Sequence, residues 1–397
     1  MEYKLKELTT KITKGTTPSN IGEDFSDSGV MYFRSELLGK SKYIDKSEGL
    51  LYITEEVHNK LKRSQIEKND ILFSMAGIYL GKISLVGDDD YPANTNQAVA
   101  IIRLKPNVCN LDYLYYYMTQ KWFTVYVNSR TAQAAQPNIN LEQIGNLKIE
   151  LPSIDIQNKV ANILSRYDEL IENNNKRIKL LEQMAENLYK EWFVHFRFPD
   201  YEAVNFEEKK PFGWIVSSCE NTKIPSCFDY CEFSELGSFT RGRNITAAEM
   251  VEGEIPVISA GLQPSGYHNK ANVTGRSLTI SASGANAGYL QYNLSDIWAA
   301  DCSYYQNEKN LWFVYCTLKF LQPVISNLQC GAAQPHVYPK NINKLCVLKP
   351  TDELIVKFNQ TVEPFFDEIE TLKKKNDNLT KQRDLLLPRL MSGKLEV

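Results

Sequence analysis

The sequence AAQPNI at residues 134–139 returns as AAQPHV at residues 332–337. The two copies lie 198 residues apart in a chain of 397, so the repeat period is half the chain. The same offset continues without gaps through the sequence that follows, where it places Pro152 on Pro350 and Leu181 on Leu379. A repeat at a fixed period indicates a duplicated architecture. We therefore predict two structurally equivalent halves.

The repeat extends upstream with different offsets. SMAGIYLG at 74–81 matches SASGANAG at 281–288 with an offset of 207, and TKG at 13–15 matches TRG at 240–242 with an offset of 227. The number of residues between matching motifs therefore differs between the two copies in the first part of each half and is the same in the second part. Each half is predicted to be a variable module followed by a constant one.

The constant module is predicted to be a long helix. Ser153 and Thr351 are plausible N-caps, since each follows a proline that disfavours helix upstream. Apolar residues recur in heptads after both caps, which is typical of helices that pack on each other. An ordinary globular core could use the same pattern, but two equal patterns favour an antiparallel helix pair with pseudo-twofold symmetry. The heptad positions are Leu164, Ile171, Ile178, Ala185 and Trp192 with Tyr167, Asn174, Leu181 and Leu188, and then Val362, Ile369, Asn376, Arg383 and Leu390 with Phe365, Leu372, Leu379 and Leu386.

The variable modules are predicted to be mixed α/β domains. Short β-branched runs such as DILFSM and NQAVAIIRL indicate strands, whereas the aromatic segments 111–127 and 311–325 indicate helices. The fold class is therefore α/β (α+β), with two mixed α/β modules separated by two long antiparallel helices that form a coiled coil. The predicted boundaries are 1–150 for the first module, 151–195 for the first helix, 196–212 for a linker, 213–348 for the second module, and 349–397 for the second helix and tail.

Composition excludes some functions and leaves others open. No apolar run reaches the roughly 20 residues that a membrane-spanning helix needs, and the charged start MEYKLKELTT does not resemble a signal peptide. We therefore expect a cytoplasmic protein without a membrane partner. The net charge of −3 neither supports nor excludes binding to nucleic acid.

No catalytic constellation is recognisable. The histidines have no metal-ligand spacing, and no P-loop motif for a nucleoside triphosphate is present. The glycine loops lie between strand-like runs rather than before a helix, which argues against a dinucleotide site. We expect no enzyme activity, no cofactor and no metal site.

Polar and basic residues in the repeated loops are candidates for contact with DNA. Glycines let a backbone approach a phosphodiester closely, and the neighbouring side chains are of types that bind phosphates and base edges. Tight turns and solvated loops remain the alternative interpretation, and the AAQP element is itself expected to be structural. The candidates are Lys14, Thr16, Thr17, Arg34, Ser74, Lys82, Arg130, Gln136, Asn138, Arg241, Arg243, Asn244, Ser283, Asn286, Tyr289, Gln334 and His336.

Apolar residues near the helix ends are candidates for binding a protein partner. Aromatic side chains concentrate in the energetically important parts of interfaces, although core packing is the default interpretation. These candidates are Trp192, Phe193, Phe196, Leu386 and Leu390.

The plan of module, helix, module and helix resembles the specificity (S) subunit of type I restriction–modification enzymes over the whole chain. The most distinctive matches are QPNI…LPSIDIQ within 134–164 and LLPRLMSGKLEV at 386–397. The resemblance implies two target-recognition domains, each of which reads one half of a bipartite, asymmetric site in double-stranded DNA. It also implies helices that act as a spacer and bind two modification (methyltransferase) subunits, with restriction (motor-nuclease) subunits joined through them.

One departure from the family pattern and one alternative function stand beside the resemblance. The aromatics at 192–198 have no counterpart after the second helix, so the two docking faces need not be equivalent. A repeat-built scaffold, such as an assembly or anti-restriction protein that never contacts bases, is the alternative function.

Overall fold

The computed structural model describes residues 1–46, 49–131, 137–212, 223–329 and 335–396. The chain forms two compact units. Unit 1 comprises Met1–Asn173 and Asn376–Val397, and unit 2 comprises Asn174–Lys375. Each unit thus takes one module together with parts of both long helices.

Unit 1 is built on three sheets. Its strands are β1 (Glu2–Lys4), β2 (Thr9–Lys14), β3 (Val30–Phe33), β4 (Leu51–Ile53), β5 (Gln65–Ile66), β6 (Ile71–Ser74), β7 (Ile83–Leu85), β8 (Ala93–Thr95), β9 (Val99–Leu104) and β10 (Lys148–Glu150). The sheet orders are β2-β9-β6-β7, β4-β3-β8-β5 and β1-β10. Its helices are α1 (Glu55–Lys60), α2 (Leu111–Met118), α3 (Lys121–Asn128), α4 (Leu141–Gly145) and the start of α5 (Ile154–Tyr189).

Unit 2 repeats this plan. Its strands are β11 (Phe206–Glu208), β12 (Lys223–Pro225), β13 (Asp229–Glu232), β14 (Thr240–Arg241), β15 (Ile255–Ile258), β16 (Gly266–His268), β17 (Ser277–Ser281), β18 (Leu290–Asn293), β19 (Trp298–Ala299), β20 (Cys302–Tyr305) and β21 (Cys346–Lys349). Its helices are α6 (Leu311–Phe320), α7 (Gln322–Ser326), α8 (Pro339–Asn343) and most of α9 (Asp352–Met391).

The sheets of the two units correspond, except that unit 2 has an additional strand pair, β11-β12, and that β5 of unit 1 has no counterpart among the described strands. The order β14-β20-β17-β18 in unit 2 matches β2-β9-β6-β7 in unit 1, and β13-β21 matches β1-β10. In the remaining sheet, β15 pairs antiparallel with β16 and parallel with β19, as β3 does with β4 and β8. Unit 1 adds α1 and β5 at residues 55–66, and this insertion accounts for much of its greater length.

Both long helices begin where the capping signals place them. α5 starts directly after Ser153, and α9 starts directly after Thr351, whose Oγ1 accepts a hydrogen bond from the Leu354 amide at 3.3 Å. α9 ends two residues before Gly393, which adopts a φ of 68°. A glycine in this left-handed conformation satisfies the last carbonyls of a helix without a steric penalty from Cβ.

The helices pack antiparallel within each unit. In unit 1, Arg383 Nη1 near the end of α9 binds Asp168 Oδ1 in the first half of α5 at 2.5 Å. In unit 2, Arg177 of α5 binds Glu368 of α9 at 2.7 Å. The Tyr189 ring at the end of α5 lies 6.1 Å from the ring of Phe358 near the start of α9. Residue numbers therefore rise along one helix as they fall along the other, and the predicted fold class is confirmed.

The apolar pattern on the helices is largely the predicted one. Leu164, Ile178 and Ala185 are buried on α5, and all other predicted positions on that helix are buried or half-buried. Arg383 occupies a heptad position on α9 as a charged residue, and Asp168 neutralises it while also accepting a hydrogen bond from the Tyr116 hydroxyl. A carboxylate held by two partners tolerates low exposure because its oxygens are satisfied.

The aromatic segments fold as paired short helices rather than single ones. α2 ends at Met118 and α3 begins at Lys121, while α6 ends at Phe320 and α7 begins at Gln322. The heptad pattern also did not reveal Phe366, which is fully buried and stacks on Trp312 with ring centroids 3.5 Å apart. That ring packs against Trp312 and Tyr292 of the module, so a pattern based on the pairing of α9 with α5 missed it.

Candidate nucleic-acid interface

The glycine loop contacts both the proline of AAQP and the residue that follows it in each unit. In unit 1 the Gly77 amide donates to the Pro137 carbonyl at 3.0 Å, and in unit 2 the Gly284 amide donates to the Pro335 carbonyl at 3.1 Å. Sequence reasoning treated these two motifs separately. The structure brings them together as one composite surface, built the same way twice.

The glycines of this surface meet a conformational requirement. Gly77 and Gly284 adopt φ values of 69° and 75°, and each opens a short 3-10 turn between two strands. Residues with a Cβ rarely adopt this region, so these two positions meet the backbone requirement of the tight-turn interpretation.

A second pair of glycines anchors the basic loops. Gly15 follows β2 and Gly242 follows β14, and their amides donate to the Val99 and Cys302 carbonyls at 3.2 and 2.8 Å. A Cβ on Gly15 would lie 1.9 Å from a carbonyl oxygen, and one on Gly242 would lie 2.6 Å from another. Only glycine fits there, so the preceding basic residue is held at a fixed place beside the sheet.

Unit 1 brings several candidate residues together around a cleft. The cleft has a volume of about 550 Å³, and Lys14, Gln97, Asn138 and Asn140 contribute polar side chains to its lining. Of the other candidates in this unit, Lys82 and Arg130 are exposed, whereas Thr16 and Thr17 are half-buried.

Two unit 1 candidates are engaged or enclosed. Arg34 forms an ion pair with Glu36 at 2.7 Å. Ser74 is fully buried at the end of β6, and its hydroxyl lacks a hydrogen-bond partner within the described part of the chain. The Ser74 hydroxyl is therefore closed to a ligand, whereas the Arg34 guanidinium is held at one nitrogen by Glu36.

Unit 2 exposes a different set of side chains on the same framework. Arg241, Arg243, Asn244 and Tyr289 are exposed, and Asn286 and His336 are half-buried. Ser283 is buried, with its hydroxyl bonded to Asp301. Gln136 and Gln334 lie outside the described residues. The contact roles of all the candidates stay predictions.

Equivalent positions in the two units carry unlike residues. The bridge between Ala76 and Asn138 corresponds to the bridge between Ser283 and His336. The shared strands and loops align the loop positions of the two units. The residues at these positions differ in size, charge or hydrogen-bonding capacity. The aligned pairs are Lys14 and Arg241, Thr16 and Arg243, Lys82 and Tyr289, and Asn138 and His336. One backbone framework thus presents two chemically different surfaces.

The candidate partner residues lie mostly in the cores. Trp192, Phe193 and Phe196 are at most 8% exposed in unit 2, where Phe193 packs edge-on against Phe358. In unit 1, Leu390 is also buried and Leu386 is half-buried. Their positions support the core-packing interpretation, because none of the aromatics offers an open face to a partner.

Two buried cysteines of unit 2 are chemically unreactive. Burial raises the pKa of the thiols of Cys231 and Cys302 to about 12, so they are protonated and poor nucleophiles at neutral pH. Within the described residues, no group of three His, Cys, Asp or Glu side chains is placed to hold a metal. Over that same part of the chain, no helix combines the length and apolarity needed to cross a bilayer.

The sequence is similar to those of known type I restriction specificity subunits. The profile of a family described as the Type I restriction modification DNA specificity domain matches residues 1–183. The MjaIX specificity subunit of Methanocaldococcus jannaschii is 26% identical over 409 residues, covering 99% of this chain and 93% of that protein. The HindI specificity subunit of Haemophilus influenzae is 22% identical, covering 84% and 88%.

The fold is also found in a solved structure. The crystal structure of the S subunit of a type I restriction–modification system from M. genitalium aligns with a TM-score of 0.55 at 19% identity. The alignment covers 98% of this chain and 95% of that chain, so the likeness includes both units.

Proposed function

Since the chain belongs to the family of type I restriction specificity subunits, we propose that it reads a bipartite, asymmetric DNA site, with one unit for each half-site. A specificity subunit is a non-catalytic component of its complex. The observation that carries the proposal is the pair of matched frameworks with unlike exposed side chains. Two identical readers would favour a symmetric site, whereas two different readers on one framework fit two different short sequences.

The exposed chemistry is consistent with contact to double-stranded DNA. Lys14, Lys82 and Arg243 supply cations for phosphates, and Asn138 supplies an amide that can bond two groups on a base edge. The chain as a whole carries a net charge of −3, so binding depends on this local surface rather than on a global field.

We further propose two modification subunits as protein partners, with restriction subunits joined through them. The support for this part is the family membership, since the candidate docking aromatics are buried. The docking surface would therefore use other exposed residues of the long helices, such as Leu180, which is 59% exposed.

The alternative function is a scaffold that binds proteins without reading bases. Family membership favours the specificity subunit over this scaffold. Mapping of methylated bases in cells with and without the chain separates the two. A discontinuous motif that disappears with the chain supports the proposal, and methylation that does not depend on the chain would contradict it.

Exchanging the first module is expected to change one half-site only. In a variant with residues 1–130 replaced by those of another specificity subunit, the first half of the methylated motif should change while the second half stays constant. The reason is that these residues contribute to unit 1 alone. Replacement of residues 223–329 is the reciprocal control, and changes in both halves from either exchange would refute independent reading.

A further inference from the structure

A carboxylate connects two predicted contact residues of unit 2. Arg241 Nη2 donates a hydrogen bond to Asp301 Oδ1, and Ser283 Oγ donates one to Asp301 Oδ2. The Asp301 side chain is 25% exposed and that of Arg241 is 41% exposed. The ion pair therefore lies at the surface, where a ligand can reach the guanidinium.

The backbone holds both members of this pair. Arg241 ends β14 and pairs with Ser303 of β20, and the next amide, Gly242, donates to the Cys302 carbonyl at 2.8 Å. The Asp301 carbonyl accepts from the Ala282 amide at 3.2 Å. The sheet thus fixes the backbone of Arg241, and the Asp301 carboxylate fixes its guanidinium.

Unit 1 has the same framework without this carboxylate. The Ala98 carbonyl accepts from the Met75 amide at 2.8 Å, which places Ala98 at the position of Asp301. Lys14 occupies the position of Arg241. An ammonium acts as a point charge and suits a phosphate, whereas a guanidinium is a planar fork that suits bidentate contacts. The two units therefore differ in how a base at this position would be read.

Stability does not explain the pair. An exposed ion pair adds little to folding free energy, and a carboxylate on a surface that binds only phosphates would weaken binding by repulsion. Orientation does explain it, because Asp301 engages one end of a group that has five N–H donors and leaves the others available. An oriented arginine makes the two hydrogen bonds to O6 and N7 that distinguish guanine in the major groove.

We infer that Asp301 is a positioning residue, steadied by Ser283, which orients Arg241 to read a guanine in the half-site of unit 2. This inference rests on the proposed function. It adds a specificity-determining residue that the sequence patterns did not single out, and it names the base that the site selects.

The test uses the full chain expressed with its modification subunits, carrying Asp301→Asn or Arg241→Lys. Methylated bases are mapped in cells, and binding is measured on duplexes that differ at one base pair of the second half-site. The wild-type protein should prefer guanine at one position by about 5- to 150-fold, the range of one bidentate contact. Both variants should lose most of that preference and keep the first half-site, the gap and the melting temperature.

Glu252→Gln is the matched control, because it removes the same charge from an exposed position of the same unit. It should leave the motif unchanged. The inference is overturned if the second half-site contains no G·C pair, or if Asp301→Asn keeps the wild-type preference. A purely structural role would lower the melting temperature without relaxing the motif. If instead the proposed function is wrong, no methylated motif depends on the chain, and this result is distinct from a motif that keeps its guanine preference.

Discussion

Insertion of one heptad into both α5 and α9 should lengthen the unspecified gap of the methylated motif by about 3 base pairs. Seven helical residues add about 10 Å, and each base pair of duplex DNA spans about 3.4 Å. α5 passes from unit 1 into unit 2 after Asn173, and α9 passes from unit 2 back into unit 1 after Lys375. Insertion at these two points keeps the native antiparallel contacts within each unit.

The choice of seven residues preserves the packing pattern. Seven residues make nearly two helical turns, so the apolar positions stay on the same face in both helices. The ion pairs of Asp168 with Arg383 and of Arg177 with Glu368 keep their partners, because each pair lies within one unit.

The longer gap also rotates the half-sites relative to each other. About 3 base pairs turn the duplex by roughly 100°, given 10 to 10.5 base pairs per turn. Twisting of the DNA or of the helices must absorb that rotation, so we expect weaker binding together with the longer gap. Mapping of methylated bases measures the gap, and a competition assay measures the affinity.

The control for this variant inserts the same heptad into α5 alone. The two helices then differ in length, so contacts in one unit are lost and the melting temperature should fall. An unchanged gap in the double insertion, with both half-sites retained, would contradict the role of the helices as the spacer.

Truncation of Phe366 should destabilise unit 2 by about 3–5 kcal/mol, the cost of removing a fully buried aromatic ring. Phe366 is 0% exposed, and its ring stacks on Trp312 at 3.5 Å with an angle of 1° between the planes. The Trp312 indole is also fixed by a hydrogen bond to Glu363 at 2.8 Å. The Phe366→Ala substitution would therefore leave a cavity between α6 and α9.

Denaturant unfolding monitored by tryptophan fluorescence measures this effect. Of the five tryptophans, Trp192, Trp298 and Trp312 belong to unit 2, Trp122 belongs to unit 1, and Trp214 lies outside the described residues, so the signal reports mainly on unit 2. The Leu180→Ala control removes an exposed side chain of α5 and should change the stability by less than about 0.5 kcal/mol. Equal effects of the two substitutions would show that the stack adds nothing to the stability of the fold.

Local rules made the long helices predictable. Proline followed by a capping residue fixes where α5 and α9 begin, and heptad spacing fixes which faces are apolar. The repeat then added long-range information that a single copy lacks, since two equal helices with equal environments favour antiparallel pairing. Caps and heptads depend on neighbours within a few residues and the repeat is visible in the sequence itself, which is why sequence reasoning reached these features.

The site was only partly predictable. The glycine loops and the basic loops were identified as candidates because the repeat marks them. Asp301 was missed because its partners, Arg241 and Ser283, lie 60 and 18 residues away in the sequence. An alignment of the two copies through β9 and β20 could have drawn attention to it, because an aspartate there replaces Ala98.

The sequence alone determined the duplication, the two helices and the family resemblance, because repeats, caps and heptads are local or periodic signals. Only the tertiary structure decided which residues meet. It joined the glycine loop to the segment after AAQP and placed the aromatics at 192–196 in a core. The physical reason is that hydrogen bonds between strands and burial of rings depend on how distant segments pack, and one copy of a sequence does not specify that packing.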